Sequence, residues 1–330
     1  LPNTALIDQA ARYRTALERS DAETMRKLAD AYNVIYRRLL GDIDALSLEL
    51  AALDNPTREQ VKQLQRYRRL LTDTAEQLNR YGVYVDTESS AASRLAVEVA
   101  LRDTRTLARL SAGTDAILAE WKTLNPQVVE TLTGYLDDTG PLYKAIRQIA
   151  PDTVQSVADA ILEGVGYGRN PKDIATRITN ALGMGLTDSM RLARTVQIYS
   201  YREASRANYI ANSDIVIGWW WMSALKSETC VSCIAMHGTF HGLDETLNDH
   251  YNGLCTAVPA TVTNEKTPFA QTGEQWFESL SAGDQRAYMG PGRYDAWKAG
   301  KFSFSDLTTT HDDDVFGEMR TATPLKDLES

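Results

Sequence analysis

The chain has 330 residues, 43% of them apolar, with 35 basic and 44 acidic side chains and a net charge of −9. That length holds two or three domains, and the composition is that of a globular protein rather than a disordered or fibrous one. No run of about 18 apolar residues occurs and the start, Leu-Pro-Asn-Thr, lacks the basic and apolar regions of a signal peptide. Neither a transmembrane helix nor a secretory leader is therefore expected, and a first residue that is Leu rather than Met leaves room for residues before it.

Residues 4–53 read as one long helix or two in line. Leu6, Ala10, Tyr13 and Leu17, then Met25, Leu28, Tyr32, Ile35 and Leu39, recur at helical spacing, with Asp21-x-x-Thr24 and Gly41 as the expected breaks. Asn55-Pro56-Thr57 is a turn, and Thr57 is placed to cap the next helix. That helix, 58–80, buries Val61, Leu64, Tyr67, Leu71, Ala75 and Leu78, and carries a basic stripe of Arg58, Lys62, Arg66 and Arg69. The stripe reads either as a face for an acidic partner or as a solvated helix face. With Tyr81-Gly82 as its end, the segment 1–82 is expected to be a long helical hairpin.

Residues 83–150 are a second helical region, with breaks at Gly113, Asn125-Pro126 and Thr139-Gly140-Pro141. The third region is 151–330. A helix is expected to begin at Asp152, with Gln155 at the capping-box position. Gly164 to Gly168 is a loop, and no preceding strand or following Gly-Lys-Ser/Thr makes it a phosphate loop. Asn170-Pro171 reads as N-cap and first helical residue. The helix over 188–212 has a small-residue face of Ala193, Val196, Ser200, Ala204, Ala207 and Ala211 suited to close helix packing. Ile215–Met222, with three consecutive tryptophans, is the strongest strand candidate; the indoles either line a pocket or cover two faces of a buried strand. After position 260 the expectation is an irregular acidic tail with short helices at Glu274–Leu280 and Asp284–Met289. Asp312-Asp313-Asp314 would then be a flexible acidic stretch rather than a divalent-ion site.

All three cysteines and three of the four histidines fall within Cys230–Cys255, in the pattern Cys-x2-Cys-x3-His-x3-His-x8-His-x4-Cys. A Cys-x2-Cys knuckle sets two thiolates side by side, and a second pair from a distant loop completes a tetrahedron suited to Zn2+. Cys230 and Cys233 form the first pair, and His250 and Cys255 the second, with His237 or His241 as a substitute ligand. Four protein ligands leave no open position, so the site would staple a segment with little core of its own rather than catalyse. An odd cysteine count speaks against a complete disulfide framework and for a reducing compartment during assembly. The bland alternative is buried free thiols and ordinary loop histidines.

Charge bears on what this stretch can grip. Residues 214–330 carry 8 basic against 17 acidic side chains. Binding nucleic acid needs lysines and arginines that displace counterions, so DNA binding by this module is disfavoured.

The order of parts over residues 165–310 resembles the Mu F-like (head morphogenesis) family of tailed-phage minor capsid proteins. The resemblance rests on the Asn170-Pro-Lys-Asp-Ile helix, the Arg191-Leu-Ala-Arg-Thr-Val-Gln-Ile-Tyr-Ser-Tyr-Arg-Glu-Ala-Ser helix, Gly218-Trp-Trp-Trp, Thr229-Cys-Val-Ser-Cys-Ile-Ala-Met-His-Gly-Thr-Phe, Asp249-His-Tyr-Asn-Gly-Leu-Cys and Gly290-Pro-Gly-Arg-Tyr-Asp-Ala-Trp. It implies a virion structural role without catalysis, at the portal vertex inside the head after assembly in the host cytoplasm. Portal, major capsid or scaffold proteins would be partners, with at most indirect contact with packaged DNA. It carries the zinc ligands over as Cys230, Cys233, His250 and Cys255. Two positions depart from the family pattern. Val196 follows Arg194-Thr195 where glutamate is typical, and Leu254 precedes the last cysteine where arginine is usual, which removes an expected partner of the metal site.

The fold expected is thus mainly α, an elongated helical N-terminal region followed by a small α+β zinc-ribbon-like module. Two other functions are weighed against the structural one. A zinc-stapled ββα-metal nuclease also pairs Cys-x-x-Cys with an Asp-His…Gly-Leu-Cys stretch and would use His250 as general base; the acidic surroundings and the missing second Cys-x-x-Cys count against it. A virion-carried effector is neither supported nor excluded. A zinc deaminase lacks its His-x-Glu and Pro-Cys-x-x-Cys, and thiol oxidoreductase chemistry lacks its βαβ setting.

Overall fold

The structure, a computed structural model, describes residues 3–53, 55–126 and 141–328. It is mainly α-helical, with a small antiparallel sheet region towards the C-terminal end. The long helices are α1 (Thr4–Ala51), α3 (Gln65–Ala112), α4 (Pro141–Gly166) and α5 (Pro171–Ala211), with a short α2 (Arg58–Gln63) between the first two. No helix among the described residues is long and apolar enough to cross a membrane. The chain divides into two compact units, one made of Leu1–Ser20, Ser93–Gly134 and Gln197–Ser330, the other of Asp21–Ala92 and Tyr135–Val196.

The second unit is a helical bundle. Its core joins Leu39, Ile43, Leu46 and Leu50 of α1 to Val61, Tyr67 and Leu70, and to Val157, Ile161, Ile174, Ile178 and Leu182 of α4 and α5. The three- and four-residue steps between these positions are the helical repeat seen in the sequence. Thr57 caps α2 as expected: its hydroxyl accepts from the Gln60 N–H at 3.3 Å, and the Gln60 side chain accepts from the Thr57 N–H at 2.8 Å. Asn170 likewise caps α5, accepting from the Asp173 N–H at 2.9 Å.

Several expected breaks are absent, each for a local reason. Asp21 is buried and ion-paired with Arg194 at 2.6 Å, so it serves packing rather than termination. Gly41 meets nothing within 4 Å, and its lower helix propensity is a small cost in so long a helix. Leu64, extended at ψ 131°, is where the helix over 58–80 is interrupted. Tyr81-Gly82 does not end that helix. Tyr81 is buried, donates to the Leu28 carbonyl at 3.2 Å and meets Tyr32 edge to face, so α3 runs on to Ala112. The hairpin boundary at 82 therefore falls inside a helix. Pro151 lies within α4, which starts at Pro141 rather than Asp152 and forgoes one intrahelical bond at the proline. The two helices expected over 170–212 are one. A Cβ on Gly185 would lie 2.6 Å from the Thr153 hydroxyl, so this glycine serves close helix approach, not a break. The break at Gly113 is real: α3 ends at Ala112 and Gly113 takes φ 69°. Thr139 and Gly140 lie outside the described residues.

In the first unit, Ala204 of the small-residue face packs with Ala96, Val97 and Ala100 of α3. Beyond α5 come β1 (Val216–Met222), α6 (Val231–Met236), β2 (Phe240–His241) and β3 (Thr256–Thr261). They form an antiparallel sheet in the order β2-β1-β3, with Trp219 opposite His241 and Trp221 opposite Ala257. The tryptophans cover both faces of the central strand. Trp219 and Trp221 pack with Cys233, Met236, Leu247 and Cys255, while Trp220 packs with Val258 and Met222 on the other side.

The expected irregular tail is folded. Helices α7 (Gly273–Glu278), α8 (Ala282–Met289) and α9 (Pro291–Lys298) and the hairpin β4–β5 (Thr308–Asp313, Gly317–Ala322) lead to a last turn, α10 (Leu325–Leu328). Phe277, Met289, Phe304, Leu307 and Leu328 pack onto Val231 and Ile234 of α6. Asp313 belongs to the hairpin turn: its carboxylate accepts from the N–H groups of Val315 and Phe316 and from the Tyr251 hydroxyl at 2.8 Å. No strand signal marks this hairpin in the sequence, which is polar, with Thr, His and Asp where apolar alternation is usual.

Candidate metal centre

The centre is built where α6 begins. Cys230 is the N-cap of α6, and the Cys233 N–H, one turn on, points at its sulfur at 3.4 Å. This is the knuckle that Cys-x2-Cys spacing predicts. The loop before β3 brings in His250, whose Nε2 lies 3.2 Å from the Cys230 Sγ and 3.3 Å from the Cys233 Sγ. Metal bonds of about 2.3 Å to sulfur and about 2.0 Å to nitrogen at a tetrahedral angle put S and N about 3.5 Å apart. The observed spacing fits that set closely. The other ring nitrogen, Nδ1, donates to the Tyr251 carbonyl at 2.7 Å, which leaves Nε2 free to face the sulfurs.

Cys255 joins through a second, overlapping group: Cys233, Asp249 and Cys255 present ligand atoms within 4.8 Å of one another, as do Cys230, Cys233 and His250. Cys233 is common to both. The four residues expected from the sequence are thus brought to one place, with Asp249 as an unexpected fifth. His237 and His241 are not part of it. His237 accepts the Ser223 N–H at 3.1 Å, and His241 stacks on Trp219 with ring centres 4.3 Å apart while pairing with Glu245 at 2.9 Å.

Without a cation the cluster separates charge. Hydrogen bonding from Cys233, with His250 adding to it, outweighs burial and holds the Cys230 thiol at about 5. His250 is raised to about 10, the Cys230 and Asp249 charges overcoming desolvation. Cys233 is pushed well above its ordinary range by its bonds to Cys230 and Cys255 and by burial. One thiolate beside an imidazolium is the arrangement a thiophilic cation would convert by displacing protons from nitrogen and sulfur.

Behind the ligands stands a support the sequence reading did not assign. Asp249 is buried. Burial alone would raise its carboxyl, but the Arg202 guanidinium, then His250, hold it below the usual carboxylate range. Arg202 donates to Asp249 Oδ2 at 2.9 Å, to the Gly253 carbonyl at 3.1 Å and to the Cys255 carbonyl at 2.8 and 2.9 Å. Asp249 in turn accepts from the Cys255 N–H at 3.2 Å and from the Cys233 thiol at 3.2 Å. This arginine comes from α5, and Leu254 packs near Leu17 and Ile198. The adjacency of Asp249 to His250 was a usable signal; nothing in the local sequence marks Arg202 among the other arginines of α5.

The basic stripe has intramolecular partners. Lys62 pairs with Glu59 at 2.9 Å, Arg66 with Glu49 at 3.5 Å, and Arg69 with Asp42 at 3.8 Å and Asp73 at 3.5 Å; Arg58 lies over Gly166. All four residues are exposed.

Buried His237 makes a pH prediction. Desolvation, helped by Arg14, lowers it from 6.5 to about 4. Between these values the unfolded chain binds a proton that the folded chain refuses, so stability is full above about 6.5 and is lost as pH falls towards 4. The difference amounts to about 3 kcal/mol. Urea midpoints of the wild type and His237→Gln, measured at neutral and at acid pH, should converge on acidification by about that amount. Parallel loss in the two proteins would rule the ring out as the cause.

Comparisons with protein-family models, with curated proteins and with solved structures returned no match.

Proposed function

We propose that this chain is a non-catalytic structural protein of the tailed-phage minor capsid class, whose C-terminal module is held by one zinc ion. The observation that carries the non-catalytic part is how completely the candidate ligands are occupied with one another. His250 turns Nε2 to two sulfurs and Nδ1 to a carbonyl, so neither nitrogen is free to deprotonate water as the nuclease alternative requires. Buried Cys233, Asp249 and Cys255 form the inner side of the cluster. The module is zinc-ribbon-like in that a Cys-x2-Cys knuckle faces ligands from a second loop, although its knuckle opens a helix.

The capsid part rests on the order of motifs in residues 165–310. In this reading the chain sits inside the head near the portal vertex, with the portal, major capsid or scaffold protein as partner. The helices of residues 4–80 supply the docking face, which includes Arg58, Lys62, Arg66 and Arg69. Their carboxylate neighbours leave them exposed but partly neutralised, so docking has to exchange one set of ion pairs for another and is expected to weaken with salt.

Two measurements test this. Zinc-loaded protein incubated with plasmid, single-stranded DNA and RNA in Mg2+ or Mn2+ is expected to leave all three intact; cleavage that vanishes in His250→Ala would move the case to the nuclease. Co-expression with a tailed-phage portal protein from the same source should give a complex on size exclusion, lost when the four stripe residues are changed to glutamate. A portal that elutes alone in the presence of folded wild-type chain counts against the capsid assignment.

A further inference from the structure

Five residues in the second half of α1 turn away from the core of the second unit. Val34, Arg37, Gly41, Asp44 and Leu48 are all exposed, and their alternating three- and four-residue spacing puts them on one face of the helix. Val34 is 70% and Leu48 74% exposed, among the most exposed large apolar side chains of the described residues. Single exposed apolar residues are ordinary; the arrangement of these is not. Val34 and Leu48 stand two turns to either side of Gly41. Arg37 and Asp44 stand about one turn to either side, with opposite charges.

Packing within the chain does not account for this pattern. Asp42 and Glu49, on the flank towards α3, are paired with Arg69 and Arg66. Arg37 and Asp44 have no ion partner among the described residues. A Cβ on Gly41 would meet nothing within 4 Å, so no neighbour in the chain requires glycine there, and in a helix interior only proline is less favourable.

The face reads alike in both directions: apolar, charge, glycine, opposite charge, apolar. A two-fold axis at Gly41, with a second α1 laid antiparallel against the first, brings Val34 of each copy to Leu48 of the other. It also brings Arg37 of each copy to within about 1.5 Å, one residue's rise, of the level of Asp44 in the other, on the same side of the seam. Each contact then occurs twice, as an isologous interface requires. Gly41 meets Gly41 near the axis, where the missing side chain lets the two backbones approach. A parallel pair would set Arg37 on Arg37 and Asp44 on Asp44, so the charges select the antiparallel one.

We propose that this face of α1 is a self-association surface whose partner is a second copy of this chain, bound antiparallel about Gly41. From Val34 to Leu48 the face is about 21 Å long. That is small for a protein interface, so the dimer is a weak one, with a dissociation constant on the order of 10–100 µM. The inference depends on neither the zinc nor the capsid reading.

Sedimentation velocity of the full chain from about 5 to 500 µM, a range that brackets that constant, tests it. Wild type is expected to pass from monomer to dimer across the range. Arg37→Asp and Asp44→Arg each bring like charges together twice across the axis, and each should weaken self-association at least about tenfold. Mixed in equal amounts, the two variants should associate within about twofold of wild type, because every like pair is then replaced by an opposite one. That recovery also shows that both variants are folded. Val34→Ser combined with Leu48→Ser should abolish the dimer without touching the charges. A chain that stays monomeric throughout, charge variants that each self-associate as wild type does, or a mixture that fails to recover would each overturn the proposal.

Discussion

Elemental analysis of the purified chain is expected to return about one zinc per chain, and Cys233→Ser is expected to lose it. Cys233 is the choice because it stands in both ligand groups, with Cys230 and His250 on one side and Asp249 and Cys255 on the other. A structural zinc in a small peptide is worth about 10–16 kcal/mol and is then the fold itself. Here a cation would act on a module that already has apolar packing, Trp219, Trp221, Met236 and Leu247 beside the candidate ligands and Phe277, Phe304 and Leu307 behind α6. Chelation should therefore lower the unfolding temperature and strip amide-exchange protection from about residues 223–261, while the helices of the second unit keep theirs. Replacing zinc with Co2+ distinguishes the fourth ligand. Cys255→Ala should remove part of the sulfur-to-cobalt charge-transfer absorption and Asp249→Ala should not, if three sulfurs and His250 bind the ion. Protein that is free of zinc when prepared without chelator, and equally stable with and without added zinc, would sink the metal reading.

What could be read from the sequence follows from how local each signal is. The Cys-x2-Cys knuckle, the caps at Thr57 and Asn170, and the strand of three tryptophans depend on neighbours within a few residues, and all are present in the fold. The helix breaks failed where a residue with low helix propensity or a capping side chain had a distant partner. Asp21 reads as a break in the sequence but is buried against Arg194, and the gap expected between the helices of 170–182 and 188–212 is helical, with Gly185 lying close to Thr153. Tertiary contacts of that kind outweigh the fraction of a kcal/mol that propensity supplies. The module also has more core than its sequence suggests. Its tail looked polar because its apolar residues, Phe277, Met289, Phe304 and Leu307, are spaced across short helices with no sustained period. Of the site itself, the four candidate ligands were legible. Asp249 reads in the sequence as one more acidic residue, and Arg202 is joined to it only by folding.

Arg202→Met is expected to be the most damaging single substitution outside the ligands. The guanidinium and the Asp249 carboxylate form a buried ion pair at 2.9 Å, with side-chain exposures of 7% and 1%. Methionine keeps roughly the length and removes the charge, which leaves a buried carboxylate with the Cys255 N–H and the His250 ring beside it but without its cationic partner. Breaking a buried pair from one side typically costs about 3–5 kcal/mol, because the remaining charge stays desolvated. The Gly253 and Cys255 carbonyls lose their donor in the same step. Since those carbonyls lie in the loop that carries Cys255, zinc affinity should fall as well, by about 10–100-fold, the usual effect of removing the residue that orients a ligand. Asp249→Asn should cost less, since an amide can still accept from Arg202 while shedding its own charge. Combining the two substitutions should recover part of the loss, because neither partner is then left as an isolated ion. Urea unfolding of the zinc-loaded proteins and competition with a coloured chelator give the two readouts separately. If Arg202→Met unfolds within about 1 kcal/mol of wild type and holds zinc equally well, the buried pair is a passenger and the ligands are positioned by packing alone.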